Sequence, residues 1–335
     1  MKARFWRRLW FYGGLAALAC AACYFATAMP GTSYRGELPP PTREVEALQL
    51  RLRRHVSTLA ATVGERRLAE GDSLARARDY IATVLGGIET LTNARLEFEK
   101  LTGTSAGASN VVFELAGATE ELVVVGAHYD TALGTPGAND NASGVAAGLE
   151  LARLLATRRH HRTLRFVFFA NEEQPYFQQA GMGSLAHAEA SRARGDRVKA
   201  MLALESLGHY STKPGSQRYP PLVGRFYPDQ GNFVGFVGNL RSRSLVRDAI
   251  GTFRASSAFP SEGAALPAFV PGVGWSDHWS FWQVGYPAIM VTDTAIFRDP
   301  HYHEASDVAA RLDYLGLARV TRGLEHVIDA LAKAD

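Results

Sequence analysis

The chain has 335 residues, 47% of them hydrophobic and 21% charged, and a formal net charge of +3. That length holds one large domain or two small ones with an ordinary globular composition. Lys2, Arg4, Arg7 and Arg8 all precede an apolar run, and +3 less those four leaves about −1 for the remainder, with no basic stripe, so the charge balance argues against a nucleic-acid partner.

Leu9–Met29 carries no charge and is long enough to cross a bilayer as a helix. Basic residues on its amino side place the N-terminus in the cytoplasm. The first reading is a signal anchor that stays attached. A cleaved signal is the second, with Ala26-Thr27-Ala28 as a small-residue cleavage site. A lipid-attached Cys20 is the third. Each puts the body outside the cytoplasm, in a periplasm or at a cell surface, or secreted after cleavage. Both cysteines, Cys20 and Cys23, fall in this run, so the body has neither a disulfide nor a thiolate ligand.

The expected organisation is a membrane anchor or signal segment over 1–29, a linker over 30–41 rich in Gly and Pro, and one domain over 42–335. Helical spacing of Val45, Leu48, Leu52, Val56 and Leu59 predicts a helix from Thr42 to about Val63. A second helix is expected through Leu74, Ala77, Ile81 and Leu85, ending near Gly86-Gly87. Strands are expected at 94–101, 110–116 and 121–127, then a helix from about Ala142, a buried strand over Leu164–Asn171 and a helix near 181–194. Further strands at 198–204, 232–237 and 287–292, a helix near 240–254 and a closing helix from Leu315 to Ala332 complete the series. The alternation predicts an α/β fold: a mostly parallel, mixed central sheet with helices on both faces. Tyr210–Gly231 reads as a long loop, a length that is often functional.

Glu172 and Glu173 stand side by side at the end of a buried strand, where like charges and burial are both costly. A metal ion would relieve both costs. Four other places bring ligand-type residues to element ends. His128 follows a strand, with Asp130 two residues on and able to hold its other ring nitrogen. Asp140 lies in a polar turn, Glu205 ends a strand, and His301, His303 and Asp307 come late in the chain. Imidazole and carboxylate together suit Zn²⁺. His160, His161, His187 and His326 lack a carboxylate partner pattern and are read as surface or packing residues.

The ordered set Gly126-Ala-His128-Tyr-Asp130-Thr, Gly137-Ala-Asn-Asp140-Asn-Ala-Ser-Gly144, Asn171-Glu172-Glu173, Ser276-Asp277-His278 and His301-Tyr-His303 with Asp307 resembles the family-28 zinc metallopeptidases. The resemblance implies a zinc-exopeptidase-like fold and two zinc ions per chain. Asp140 would bridge both ions, with His128 and Glu205 at one and Glu173 and His303 at the other, or with that last couple exchanged. Glu172 would be the general base. Asp130, Asp277, His278 and Asp307 would orient ligands or position substrate. Glu205 stands where the family usually has Asp, and a cis peptide is expected at Asp140-Asn141. The implied reaction is aminopeptidase hydrolysis of a peptide with a free N-terminus. Glutaminyl cyclisation with one zinc, and a non-catalytic binding protein of the same fold, are the alternatives.

Overall fold

The computed structural model describes residues 24–334 apart from Asn93 and Leu222. Helix α1, Arg43–Ser57, begins where the Thr42 hydroxyl accepts the Val45 N–H, with Glu44 and Glu46 in its first turn and Arg54 and His55 in its last. Both charge placements suit the helix dipole. Helix α2, Ser73–Glu89, runs through Gly86 and Gly87 instead of stopping there. Each mid-helix glycine costs about 1 kcal/mol, and the next residue, Ile88, is buried in the core, which offsets that cost.

Eight strands form one sheet in the order β1-β2-β4-β3-β5-β8-β6-β7. They are β1 Ala94–Lys100, β2 Ser109–Leu115, β3 Thr119–His128, β4 Arg162–Phe169, β5 Arg197–Glu205, β6 Val234–Asn239, β7 Ser261–Leu266 and β8 Ala288–Thr292. The centre, β4-β3-β5-β8, is parallel. The antiparallel pairings β1–β2, β2–β4 and β6–β8 make the sheet mixed. Between the strands lie α3 Gly144–Leu155, α4 Gly183–Arg194, α5 Arg243–Ser256 and α6 His278–Gln283, and after β8 come α7 Ala295–Arg298 and the closing α8 Tyr314–Leu331. One sheet face packs with α1, α2, α3, α5 and α8 in the larger apolar core. The other packs with α4 and α6 around Phe169, Met201, Ala188 and Phe281. The architecture is the expected single α/β domain.

Three elements escaped the sequence reading, among them the one-turn α7. Strand β7, Ser-Glu-Gly-Ala-Ala-Leu, has no β-branched residue and no alternation, and it forms by pairing with β6 at the sheet edge. Helix α6 is one and a half turns long, too short for a periodic signal. The segment 30–41, expected as a linker or an extended arm, runs as an extended arm bonded to the body. Arg254 donates to the Pro30 and Gly31 carbonyls, Arg247 to that of Ala28, and the Ser261 N–H to the Ser33 hydroxyl. The segment is docked because α5 supplies donors that an extended chain otherwise finds only in water, and it covers part of the exposed edge strand. No helix among the described residues is long and apolar enough to cross a membrane. The membrane helix expected over Leu9–Met29 falls outside the described residues up to Cys23; of its last residues, 24–27 form a helical turn, Ala26 is buried and Met29 packs on the core.

Candidate metal centre

Because β4, β3 and β5 are parallel neighbours, their carboxyl ends open on one edge, which is where open α/β sheets place ligands. His128 ends β3, Glu205 ends β5, and Glu172 and Glu173 follow β4. Asp140 comes from the turn 138–143 that opens α3, where Asp140 and Asn141 leave helical geometry and are joined by the expected cis peptide. Gly137 makes this turn possible. Its φ is +58°, and a Cβ there would sit 2.3 Å from the Asp140 carbonyl oxygen.

The side chains form two groups that share Asp140. His128, Asp140 and Glu205 are one; Asp140, Glu173 and His303 are the other, with all ligand atoms of each group within 4.8 Å of one another. Asp140 faces His128 Nε2 through Oδ1 at 3.2 Å and His303 Nε2 through Oδ2 at 3.0 Å. Glu205 lies 3.3 Å from His128 Nε2, and Glu173 3.1 Å from His303 Nε2. The pairing that the sequence left open is thus Glu173 with His303. Glu172 is buried beside both groups and belongs to neither.

The surrounding hydrogen bonds give the expected roles physical content. Asp130 accepts the Glu172 and Glu173 N–H groups at 3.0 Å each and stands 3.5 Å from His128 Nδ1. One carboxylate therefore orients a candidate ligand from each of two strand ends. Asp307 accepts the N–H groups of Asn139 and Asp140, fixing the bridging turn. The longer Glu205 is steadied by hydroxyls: Ser276 donates to Oε2 at 2.7 Å and Ser206 to Oε1 at 3.1 Å. His301 bonds Ser306, and of that pair only His303 joins a candidate metal group. Asp277 is buried near Glu172, and burial pushes its carboxyl up to about 7. His278 does not join the site. Its Nε2 meets the Val273 carbonyl at 2.8 Å and its ring stands edge-on to Trp282. Asp277 caps α6 with helical backbone angles, so its side chain and that of His278 point about 100° apart and only one of the two faces the metal groups. His187 also departs from expectation, pairing with Glu99 at 2.8 Å.

Charge decides what this arrangement can hold. Asp130, Asp140, Glu172, Glu173, Glu205, Asp277 and Asp307 are all buried around two imidazoles. Burial raises Glu172 well above the carboxylate range; His128 opposes this, and Glu173, Glu205 and Asp277 add to it. Burial and the charge of Asp140 push Glu173 up to about 7, against His303. Asp140 Oδ1 and Glu173 Oε1 are buried and face imidazole nitrogens without a well-aligned hydrogen bond. Excess buried negative charge, orphaned carboxylate oxygens and imidazole nitrogens turned toward them fit divalent cations of the zinc class.

Burial alone would lower the His303 pKa, but Asp140 and Glu173 outweigh it and hold the ring up at about 10. Such a ring ligates only after losing its proton. Zinc uptake at pH 7 should therefore release protons, and affinity should fall as pH falls. Calorimetry in buffers of different ionisation enthalpy measures this; uptake with no proton release at pH 7 contradicts the assignment.

Sequence reasoning missed Arg66. This fully buried guanidinium donates to the carbonyls of Tyr129, Pro136 and Gly137, besides Leu59 and Gly64, and so holds the chain between His128 and Asp140. Burial lowers its pKa to about 10, against Asp130 and Asp307. Nothing in Gly64-Glu-Arg66-Arg67 distinguishes it from its neighbour. Arg66→Ala should cost about 3–5 kcal/mol, the usual result of stripping a buried charged group from its partners. Thermal or urea unfolding reads that loss; a change under about 1 kcal/mol would show that the clamp is dispensable. Asn139 was missed too. Its amide donates to Asp293 at 3.0 Å and Asp299 at 3.1 Å, which ties the His303 loop to the Asp140 turn.

Beside Glu205 and Tyr302 opens a cavity of about 110 Å³, walled by Val223, Val237, Leu266, Val270 and Met290 among others. The long loop expected over 210–231 supplies part of this wall. Tyr302 also stacks on the His303 ring at 3.9 Å.

The model of peptidase family M28 matches residues 110–328. YfbL of Escherichia coli (strain K12) is 38% identical over 296 residues, covering 86% of this chain and 89% of that protein. A probable zinc metalloprotease of Pyricularia oryzae is 29% identical, over 73% of this chain and 56% of its own length. A probable leucine aminopeptidase of Arthroderma otae is 28% identical, over 58% and 50%. The chain thus spans only about half of these fungal relatives. Among solved structures, LapB from Legionella pneumophila superposes with a TM-score of 0.68 at 19% identity, covering 90% of this chain and 78% of that one. A Bacteroides thetaiotaomicron glutaminyl cyclase superposes with 0.62 at 16%, over 87% and 99%. These two share the fold.

Proposed function

The chain belongs to peptidase family M28, and on that footing we propose that it is a zinc-dependent aminopeptidase, binding two zinc ions and cleaving the first residue from peptides with a free N-terminus. The observation that carries this reading is the shared Asp140, one oxygen toward each His-carboxylate group, with Glu172 free beside them. When bound, the zinc ions would polarise the scissile carbonyl and acidify a water.

The remaining work falls to the chain's own residues. Glu172, raised by burial, can take a proton from the attacking water and return it to the departing amine. Asp130 holds the backbone of Glu172 and Glu173 still while this happens. The surplus of carboxylates gives a free α-amino group a favourable place. The apolar cavity beside Glu205 and Tyr302 receives the first side chain, which favours large hydrophobic residues. The uncharged N-terminal run supports an extracytoplasmic, membrane-attached location.

The test is metal content of the purified full chain together with hydrolysis of aminoacyl-anilides, with and without chelator. Two zinc ions and chelator-sensitive release from unblocked leucyl- or phenylalanyl-anilide support the proposal. One zinc with pyroglutamate formation from a Gln-initial peptide replaces it with the cyclase reading. Absence of zinc removes both.

A further inference from the structure

We propose that the sheet end opposite the metal centre is a docking face for a lipid bilayer surface bearing anionic headgroups. The topology defines two ends. Strand β5 starts at Arg197 and finishes at Glu205, so at about 3.3 Å per residue the two lie roughly 26 Å apart. The metal groups occupy the Glu205 end. At the Arg197 end, the segments leading into β4, β5 and α5 carry the exposed Arg159, Arg192, Arg197 and Arg241. Among the described residues, no carboxylate lies within ion-pair distance of Arg159, Arg197 or Arg241. Two carboxylates that could neutralise them are already engaged: Glu121 by Arg162 and Lys199, and Asp196 by Arg165 and Arg194. Among the described residues, exposed Glu120 and Asp248 do not balance these four arginines.

Apolar groups crowd the same end. Leu240 is 46% exposed and Phe269 is 87% exposed. Leu240 and Ala268, next to Phe269, border one shallow hollow with Tyr286 and Pro287, just before the first residue of β8. The chain also enters the body here. The Phe25 ring lies 3.9 Å from the Arg243 guanidinium, which donates to the Phe25 carbonyl. Tyr24 and Phe25 are 74% and 50% exposed, and the uncharged run that begins at Leu9 leads directly into them.

Exposed aromatic rings, and arginines without a carboxylate partner, at the sheet end where the uncharged run joins the body suit an anionic headgroup layer. A soluble protein partner would not account for the coincidence with the chain's entry point. The consequence is an orientation. The metal centre stands on the far end of the sheet, facing the aqueous phase, where a peptide can reach it.

The body lacks cysteine, so single labels are clean once Cys20 and Cys23 are replaced by alanine in the full chain. Leu240→Cys and Phe269→Cys report on the proposed face; Leu133→Cys, 71% exposed in the loop between β3 and Asp140, reports on the metal-centre end. Each is labelled with an environment-sensitive fluorophore in nanodiscs of phosphatidylcholine, alone or mixed with phosphatidylglycerol. The expected result is blue-shifted emission and severalfold stronger quenching by a lipid-borne quencher at 240 and 269 in the anionic discs, with 133 unchanged. Arg197→Gln with Arg241→Gln should reduce that quenching toward the neutral-disc value. Equal quenching at 269 and 133, no difference between lipids, or failure of the full chain to enter discs would overturn the proposal. None of these readouts depends on peptidase activity.

Discussion

Glu172→Gln should lower kcat by about 10²–10⁴-fold, the usual worth of a positioned general base, while bound zinc stays at the level of the parent protein. Two features make this separation sharp. Glu172 stands outside both ligand groups, so its loss removes no ligand. The substitution keeps the side chain's size and removes only its ability to accept and return a proton. Burial, reinforced by Glu173, Glu205 and Asp277, already disfavours the charged form, so a neutral amide is easily accommodated. Zinc content and steady-state hydrolysis of an aminoacyl-anilide, measured on the same preparation, decide the matter. Turnover within a few-fold of the parent would transfer the base to another group, and loss of zinc would recast Glu172 as a ligand.

Asp140→Asn should be the most damaging ligand substitution, abolishing detectable hydrolysis and emptying both sites. Each other ligand serves one group, whereas Asp140 offers an oxygen to each. The amide has the same shape but presents a neutral N–H₂ where one cation would sit. The backbone should survive the change, because Asp307 holds the Asn139 and Asp140 N–H groups independently of the Asp140 side chain. His303→Ala is the contrast. It leaves His128, Asp140 and Glu205 intact and should retain about one zinc per chain. Metal analysis after exhaustive dialysis distinguishes the two variants. If Asp140→Asn held as much zinc as His303→Ala, the shared-carboxylate reading would fail.

The parts of the fold that were legible in the sequence are those with a local signal. Val123-Val-Val125 and, apart from Arg165, Leu164–Phe169 are apolar because they are buried, and they became β3 and β4. Helix α1 followed its apolar spacing and its Thr42 cap. Strand β7 had no such signal; its backbone groups are satisfied by β6 and by the docked arm, both remote in sequence. The glycine pair in α2 signalled a stop that a buried Ile88 overrode.

The same division runs through the site. Which residue types could hold a metal, and that they sit at strand ends, was determined by the sequence itself, because ligand chemistry belongs to the residue and strand ends are marked by where apolar runs stop. His128, Glu173 and Glu205 were readable as candidates in this way, Asp140 and His303 as ligand-type residues in a turn and a loop, and their grouping as a ligand set came from the family resemblance. Tertiary structure alone decided that Glu173 shares a group with His303, that His278 turns away toward Val273, and that a guanidinium from Gly64-Glu-Arg66-Arg67 clamps the loop leading to Asp140. The physical reason is common to all three. Each depends on distances between side chains far apart along the chain or on the rotation of a short helix, and neither quantity leaves a periodic trace in composition or spacing.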